Sequence, residues 1–149
     1  MKTRLVHEQQ GEKTFVLIFD KGDEAIQGLH HFAEEQGITA AHFTAIGAFT
    51  DVTLGYFERG KKDYRKIPLS EQVEVLSLIG NIALKQGQPQ VHAHVVVGKS
   101  DGTAHGGHLL EAHVWPTLEV VITESPTHLR RQIDEETGLA LIQADPMTS

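Results

Sequence analysis

The sequence predicts an α+β fold with a mainly antiparallel sheet, and three observations lead there. Short runs of apolar, β-branched and aromatic residues recur along the chain, each bounded by glycine, proline or acidic turn residues, as strands are. One segment alone, residues 24–36, holds apolar residues at sustained helical spacing. No repeat, low-complexity stretch or linker divides the 149 residues, so one compact domain over 1–149 is expected.

In chain order, residues 14–19 (TFVLIF) form a buried strand, and 20–23 (DKGD) a turn whose acid can cap the helix that follows. Within 24–36, Ala25, Ile26, Leu29, Phe32 and Ala33 share one helical face, and Gly37 stands where a C-cap glycine belongs. Residues 42–48 and 52–57 are expected as two strands flanking Thr50-Asp51, with Gly47 and Gly55 at bulges or close approaches. Residues 59–63 are an exposed basic turn. Pro68 assigns 64–69 to a sheet edge, and 72–79 (QVEVLSLI) reads as a strand buried on both faces. Gly87-Gln88-Pro89 is a loop, 91–97 (VHAHVVV) a strand, and 100–103 (SDGT) a hairpin turn. Residues 109–115 and 118–123 are two further strands, separated at Pro116. The stretch 127–136 reads as a helix stopped by Gly138 or as a hairpin turning at 134–138; the strand-like 139–143 favours the hairpin.

Composition narrows the function. Thirteen basic against twenty acidic residues leave a formal net charge of −7, which disfavours a generic phosphate-tracking nucleic-acid binder. Without cysteine there are no disulfides, thiolate metal sites or cysteine nucleophile. The first ten residues lack the apolar core of a signal peptide, and no apolar run is long enough to span a membrane, so a cytoplasmic protein is the default expectation. There is no GxSxG elbow, Walker sequence or GxGxxG after a strand.

The histidines carry the chemistry. His92 and His94 are separated by one residue on a predicted strand, and residues i and i+2 of a strand project from one face. If the turn at 100–103 reverses the chain, His108 of Gly106-Gly107-His108 returns beside them. Three imidazoles with an open fourth position make a catalytic zinc pattern, although nickel, cobalt and iron suit the same donors. His105 competes for the third place, and surface histidines in a chain holding ten are the plain alternative. Two acids inside apolar strands, Glu74 and Glu119, are candidates for a ligand, a hydrogen-bond acceptor behind a ligand, or a general base. Their alternatives are solvent exposure or pairing with Arg65, Arg130 or Arg131. His30 and His31 read as structural or solvated helix residues, His42 and His113 as candidate core residues on strands with a satisfied hydrogen bond. The cluster Arg59, Lys61, Lys62, Arg65 and Lys66, interleaved by Tyr64, is the single basic patch that nucleic acid could contact.

Several of these segments together resemble the PPC (plants and prokaryotes conserved) domain in its free-standing prokaryotic form. The resemblance is carried by Gly47-Ala48-Phe49, by 52–56 (VTLGY), by 73–82 (VEVLSLIGNI) and by 89–94 (PQVHAH). Asp101-Gly102, 106–109 (GGHL) and 118–121 (LEVV) complete it. It implies an α+β fold related to that of acetolactate decarboxylase, a metal enzyme, and a homotrimer with 74–80 in the core or near subunit contacts. Its His-x-His and Gly-Gly-His elements fall on His92, His94 and His108. The histidine pattern itself predicts the divalent metal, zinc first, and a small-molecule role with a metal-dependent hydrolase or lyase as a candidate activity; the fold-level likeness to acetolactate decarboxylase transfers no substrate. Prokaryotic members also carry a DNA-binding label, drawn from plant relatives whose DNA contact is a separate Arg-Gly-Arg-Pro segment. Arg59-Gly60-Lys61-Lys62 only echoes that segment. DNA binding and a protein-interaction module are the alternatives.

Overall fold

The computed structural model describes residues 1–125 and 127–143. The strands are β1 (Lys2–Gln9), β2 (Glu12–Phe19), β3 (Ala40–Glu58), β4 (Asp63–Leu69), β5 (Val73–Lys85), β6 (Gln88–Gly98), β7 (Ala104–Glu124), β8 (Arg130–Ile133) and β9 (Ala140–Gln143), with α1 (Ala25–Gln36) after β2. The α+β expectation holds: among the described residues, all nine strands belong to one sheet, and every pairing but β5 with β8 is antiparallel. The pairings β3–β5, β5–β6, β6–β7 and β7–β3 close a circuit, and β1–β2, β4 and the β8–β9 hairpin extend it.

The core lies inside this circuit and under the helix. Phe43, Phe49, Leu78, Val95, Leu118 and Ile122 point inward from the central strands, and Leu29, Phe32 and Ala33 close the core from α1. Phe15 and Phe32 meet edge to face at 5.2 Å, an arrangement the ring quadrupoles favour. The helix starts at Glu24, whose carboxylate accepts from the backbone N–H of Ile26 and Gln27, and whose Oε1 also accepts from Ala112 N–H on β7 at 3.0 Å. It thereby caps the helix and ties it to the sheet. The acids of the turn 20–23 do not cap the helix: Asp23 accepts from Asp20 N–H, and both pair with the N-terminal ammonium. Gly37 ends the helix at φ 64°, with Ile38 N–H returning to the Ala33 carbonyl.

Several boundaries differ from the sequence expectation. Residues 42–48 and 52–57 belong to one strand, β3, because register shifts near Gly47 and Asp51 let it bend without leaving the sheet. A Cβ on Gly47 would lie 2.2 Å from the Thr117 carbonyl oxygen, so the expected close approach is real. Residues 109–115 and 118–123 are likewise one strand, β7, which passes through a cis Trp115–Pro116 peptide. The β5–β6 turn is Gln86-Gly87, both at positive φ as a two-residue type I′ hairpin requires, so Gln88 and Pro89 already lie in β6. Residues 2–9, without strand signal in the sequence, form β1 through a second Gln-Gly turn at Gln10-Gly11. Strand β5 is half-exposed rather than buried on both faces: Val75 and Leu78 point inward while Leu76 and Ile79 face out. The tail is the expected hairpin, β8–β9, turning at residues 134–138.

Candidate metal centre

Along β6 the small or β-branched residues Ala93, Val95 and Val97 take the core side, which leaves His92 and His94 together on the outer face. The turn at residues 99–103 reverses the chain, with Lys99 N–H bonded to the Thr103 carbonyl, and sets His108 directly opposite His94. His105 falls opposite Val97, three positions along β7, and is not in the cluster. The Gly-Gly pair before His108 has a packing reason: a Cβ on Gly107 would sit 2.8 Å from the Gly55 carbonyl oxygen, and one on Gly106 3.1 Å from that of Val95.

Ligand nitrogens of His92, His94 and His108 all lie within 4.8 Å of one another. The Nε2 atoms of His92 and His94 face each other at 3.2 Å, so one of them must hold a proton or both must share a cation. Burial, reinforced by the neighbouring imidazoles, lowers the pKa of His108 to about 4. Burial also lowers that of His92, with the charges of Arg131 and His94 adding to the effect. Both rings are therefore neutral at neutral pH, the state a metal ligand needs. Nδ1 of His108 is buried without a hydrogen-bond partner among the described residues. The donor set, its protonation and this orphaned nitrogen all fit a divalent ion.

Three further residues complete the surroundings. Tyr64, on edge strand β4, stacks on the His108 ring with centroids 4.5 Å apart and planes 25° from parallel. It has room to do so because position 55, opposite His108, is glycine: a Cβ there would lie 2.8 Å from the Tyr64 ring. Asn81 on β5 is the register partner of His92, and its side-chain oxygen accepts from the guanidinium of Arg131 on β8. Sequence reasoning noted Tyr64 only among basic neighbours and Arg131 only as a salt-bridge candidate. The signal that bore on this shell was Gly55, read as a close approach but without its partner.

The two glutamates lie elsewhere. Glu74 pairs with Gly98 and Glu119 with Ile46, both are exposed, and they line a shared groove with Ile46, Leu76 and Thr117. Neither belongs to the histidine cluster. Their apolar neighbours in sequence face the core while they face out, which is the ordinary alternation of a strand. His42 is also exposed, not a core residue; His113 bonds through Nδ1 to Asp51 at 2.8 Å; and His30 and His31 pair with Glu34 and Glu35 on the helix surface.

Fold and cluster together define a small antiparallel β domain, closed by one helix, with three histidines converging on its outer face. The chain belongs to the Plants and Prokaryotes Conserved (PCC) domain family, whose profile matches residues 6–126. A metal-containing protein from Archaeoglobus fulgidus is 41% identical, with a TM-score of 0.83 over 97% of this chain and 100% of that one. A plant- and prokaryote-conserved protein from Pyrococcus horikoshii is 33% identical, with a TM-score of 0.84 over 98% and 97%. A Bacteroides thetaiotaomicron protein whose name proposes DNA binding is 28% identical, with a TM-score of 0.83 over 92% and 94%. At the level of fold alone, a Staphylococcus aureus protein similar to alpha-acetolactate decarboxylase matches 74% of the chain and 51% of its own, with a TM-score of 0.55 at 12% identity. The bifunctional protein GlmU of a Synechococcus strain is 32% identical over 120 residues, and the chain spans 18% of that relative's length. Among the described residues no helix is long and apolar enough to cross a membrane.

Proposed function

We propose that this protein binds one divalent metal ion, zinc first, through His92, His94 and His108, and acts on or senses a small molecule there. The observation that carries the reading is the convergence of three ring nitrogens within 4.8 Å on adjacent, rigidly paired strands. The name of the Archaeoglobus relative supports it. A divalent ion on three imidazoles supplies Lewis acidity and keeps an open coordination position, the requirement for hydrolytic or lyase chemistry. The chain's own part is to hold the rings: the strand pairing sets His94 against His108, and Tyr64 fixes the plane of His108. Glu74 and Glu119 have no part in this proposal, being exposed in a separate groove.

We also propose that the protein assembles with itself, as a homotrimer. Ile46, Leu76, Ile79, Val96 and Val121 are large apolar side chains left 61%, 55%, 56%, 42% and 47% exposed on one outer face of β3, β5, β6 and β7. An apolar patch of this kind marks an interaction surface.

DNA binding is the second reading, favoured by the name of the Bacteroides relative. Charge weighs against it. The basic cluster is largely answered from within: Arg59 pairs with Glu136 at 2.8 Å, Lys61 and Arg65 pair with Glu58, and Lys62 donates to the Glu135 carbonyl.

The test is metal content by plasma mass spectrometry on untagged protein, isolated and after zinc reconstitution, beside the His92→Ala/His94→Ala variant. One ion per chain in the wild type, lost in the variant, is expected. Equal metal in both, or none in either after reconstitution, overturns the proposal. A steep salt dependence of DNA affinity would then favour the second reading.

A further inference from the structure

Beside the histidines, between the outer face of the sheet and the β8–β9 hairpin, lies a cleft of about 160 Å³. It is lined by His92, His108 and Tyr64, by the polar side chains of Arg131 and Gln90, and by Leu141 among its apolar residues. Among the described residues, the buried side-chain atoms without a hydrogen-bond partner are Gln90 Oε1, His108 Nδ1 and Arg131 Nε, and all belong to residues lining this cleft. Buried polar groups are ordinarily paired, and with His108 Nδ1 assigned to the metal ion, the orphaned Gln90 Oε1 and Arg131 Nε at one cavity point to a further polar ligand.

Arg131 indicates the sign of that ligand. It is the buried charged side chain of the described structure, 7% exposed. Its guanidinium donates to the Ala140 carbonyl at 3.0 Å and to Asn81 Oδ1, both neutral acceptors, and no carboxylate pairs with it among the described residues. A guanidinium has five N–H donors, so these two bonds leave the Nε–H and others unspent. Buried charges are rarely left without a counter-charge, and the planar fork of arginine matches a carboxylate through two parallel bonds.

We propose that this cleft takes a short hydroxy-carboxylate, its carboxylate held by Arg131 and its hydroxyl end beside Gln90, His92 and His108. The volume sets the size, since a cavity of about 150 Å³ holds a ligand of roughly six heavy atoms such as benzene. Gln90 Oε1, an unpaired acceptor, favours a hydroxyl on the carbon stem, and the Tyr64 ring and Leu141 accommodate the stem itself. Binding at Arg131 stands without a metal; contact of the hydroxyl end with an ion rests on the metal reading above.

The test uses full-length protein, metal-free and zinc-loaded, titrated calorimetrically with lactate, with lactamide as the neutral isostere, and with inorganic phosphate. The Arg131 Nε–H resonance is followed by nitrogen-15 NMR in the same titrations. We expect lactate to bind metal-free wild type at least tenfold more tightly than lactamide or phosphate and to move that resonance. Arg131→Gln loses the binding, and Arg131→Lys, which keeps the charge but not the fork, recovers part of it. Zinc tightens lactate binding in the wild type but not in His92→Ala/His94→Ala. If zinc has no effect while the resonance still moves, the carboxylate site stands and the metal reading fails. A stationary Arg131 resonance in the wild type, lactamide binding as well as lactate, or phosphate binding more tightly overturns the proposal whatever the metal does.

Discussion

Gly80 offers a stringent test of how the fold supports the histidines. It lies on β5 opposite Phe43 of β3 and Ala93 of β6, between the register partners of His94 and His92. A Cβ added there would stand 2.3 Å from Phe43 Cζ and 2.5 Å from the His92 carbonyl oxygen. Phe43 is 1% exposed, so its ring has nowhere to go, and the carbonyl is backbone in a paired strand. In Gly80→Ala, β5 and β6 must therefore separate locally. Overpacking a core costs about 1–3 kcal/mol, and the backbone clash puts this substitution near the upper end. For a chain of this size each kcal/mol lowers Tm by about 2–4 °C, which gives a fall of roughly 6–12 °C. The assay is urea and thermal unfolding of the metal-free protein by circular dichroism, with zinc stoichiometry measured in parallel. Zinc binding should weaken as well, because the displaced carbonyl belongs to His92. Phe43→Leu in the Gly80→Ala background removes the ring contact and should restore part of the loss, a coupling a double-mutant cycle isolates. Stability within about 0.5 kcal/mol of wild type, the spread of a neutral surface change, would refute the packing argument.

Two other outcomes follow from the same geometry. The pKa of His108 is depressed in the folded state to about 4 from 6.5, so the unfolded chain binds more protons between those values. Metal-free protein should thus keep its full contribution from this group above pH 6.5 and lose it as pH falls toward 4. Urea midpoints at pH 5 and 7.5 should differ in that direction, and His108→Asn should narrow the gap; an unchanged gap would contradict the assignment. Ile46→Glu/Leu76→Glu, two changes on the exposed apolar face at residues outside the histidine cluster, should convert the assembly to monomer in sedimentation velocity without removing zinc, and a monomeric wild type would end the trimer proposal.

What short-range geometry encodes is legible along the chain. The α1 face follows from apolar spacing, Gly37 stops the helix, and the turn at residues 100–103 reverses the chain. One-residue spacing places His92 and His94 on one face whatever the strand pairs with. Each of these depends on neighbours within a few positions. Strand β1 was not legible because all eight of its residues are exposed, and a strand held by backbone pairing at a sheet edge needs no apolar alternation. The bends that join β3 and β7 into single long strands lie in register shifts between distant segments. Glu74 and Glu119 looked site-bound because their sequence neighbours are apolar, yet neighbours on a strand face opposite ways. The surroundings of the histidines come from long-range strand pairing. Tyr64 arrives from an edge strand through the gap left by Gly55, and Arg131 from a C-terminal hairpin paired to β5. Those residues come together through pairing across long sequence separations, for which strand periodicity supplies the face but never the partner.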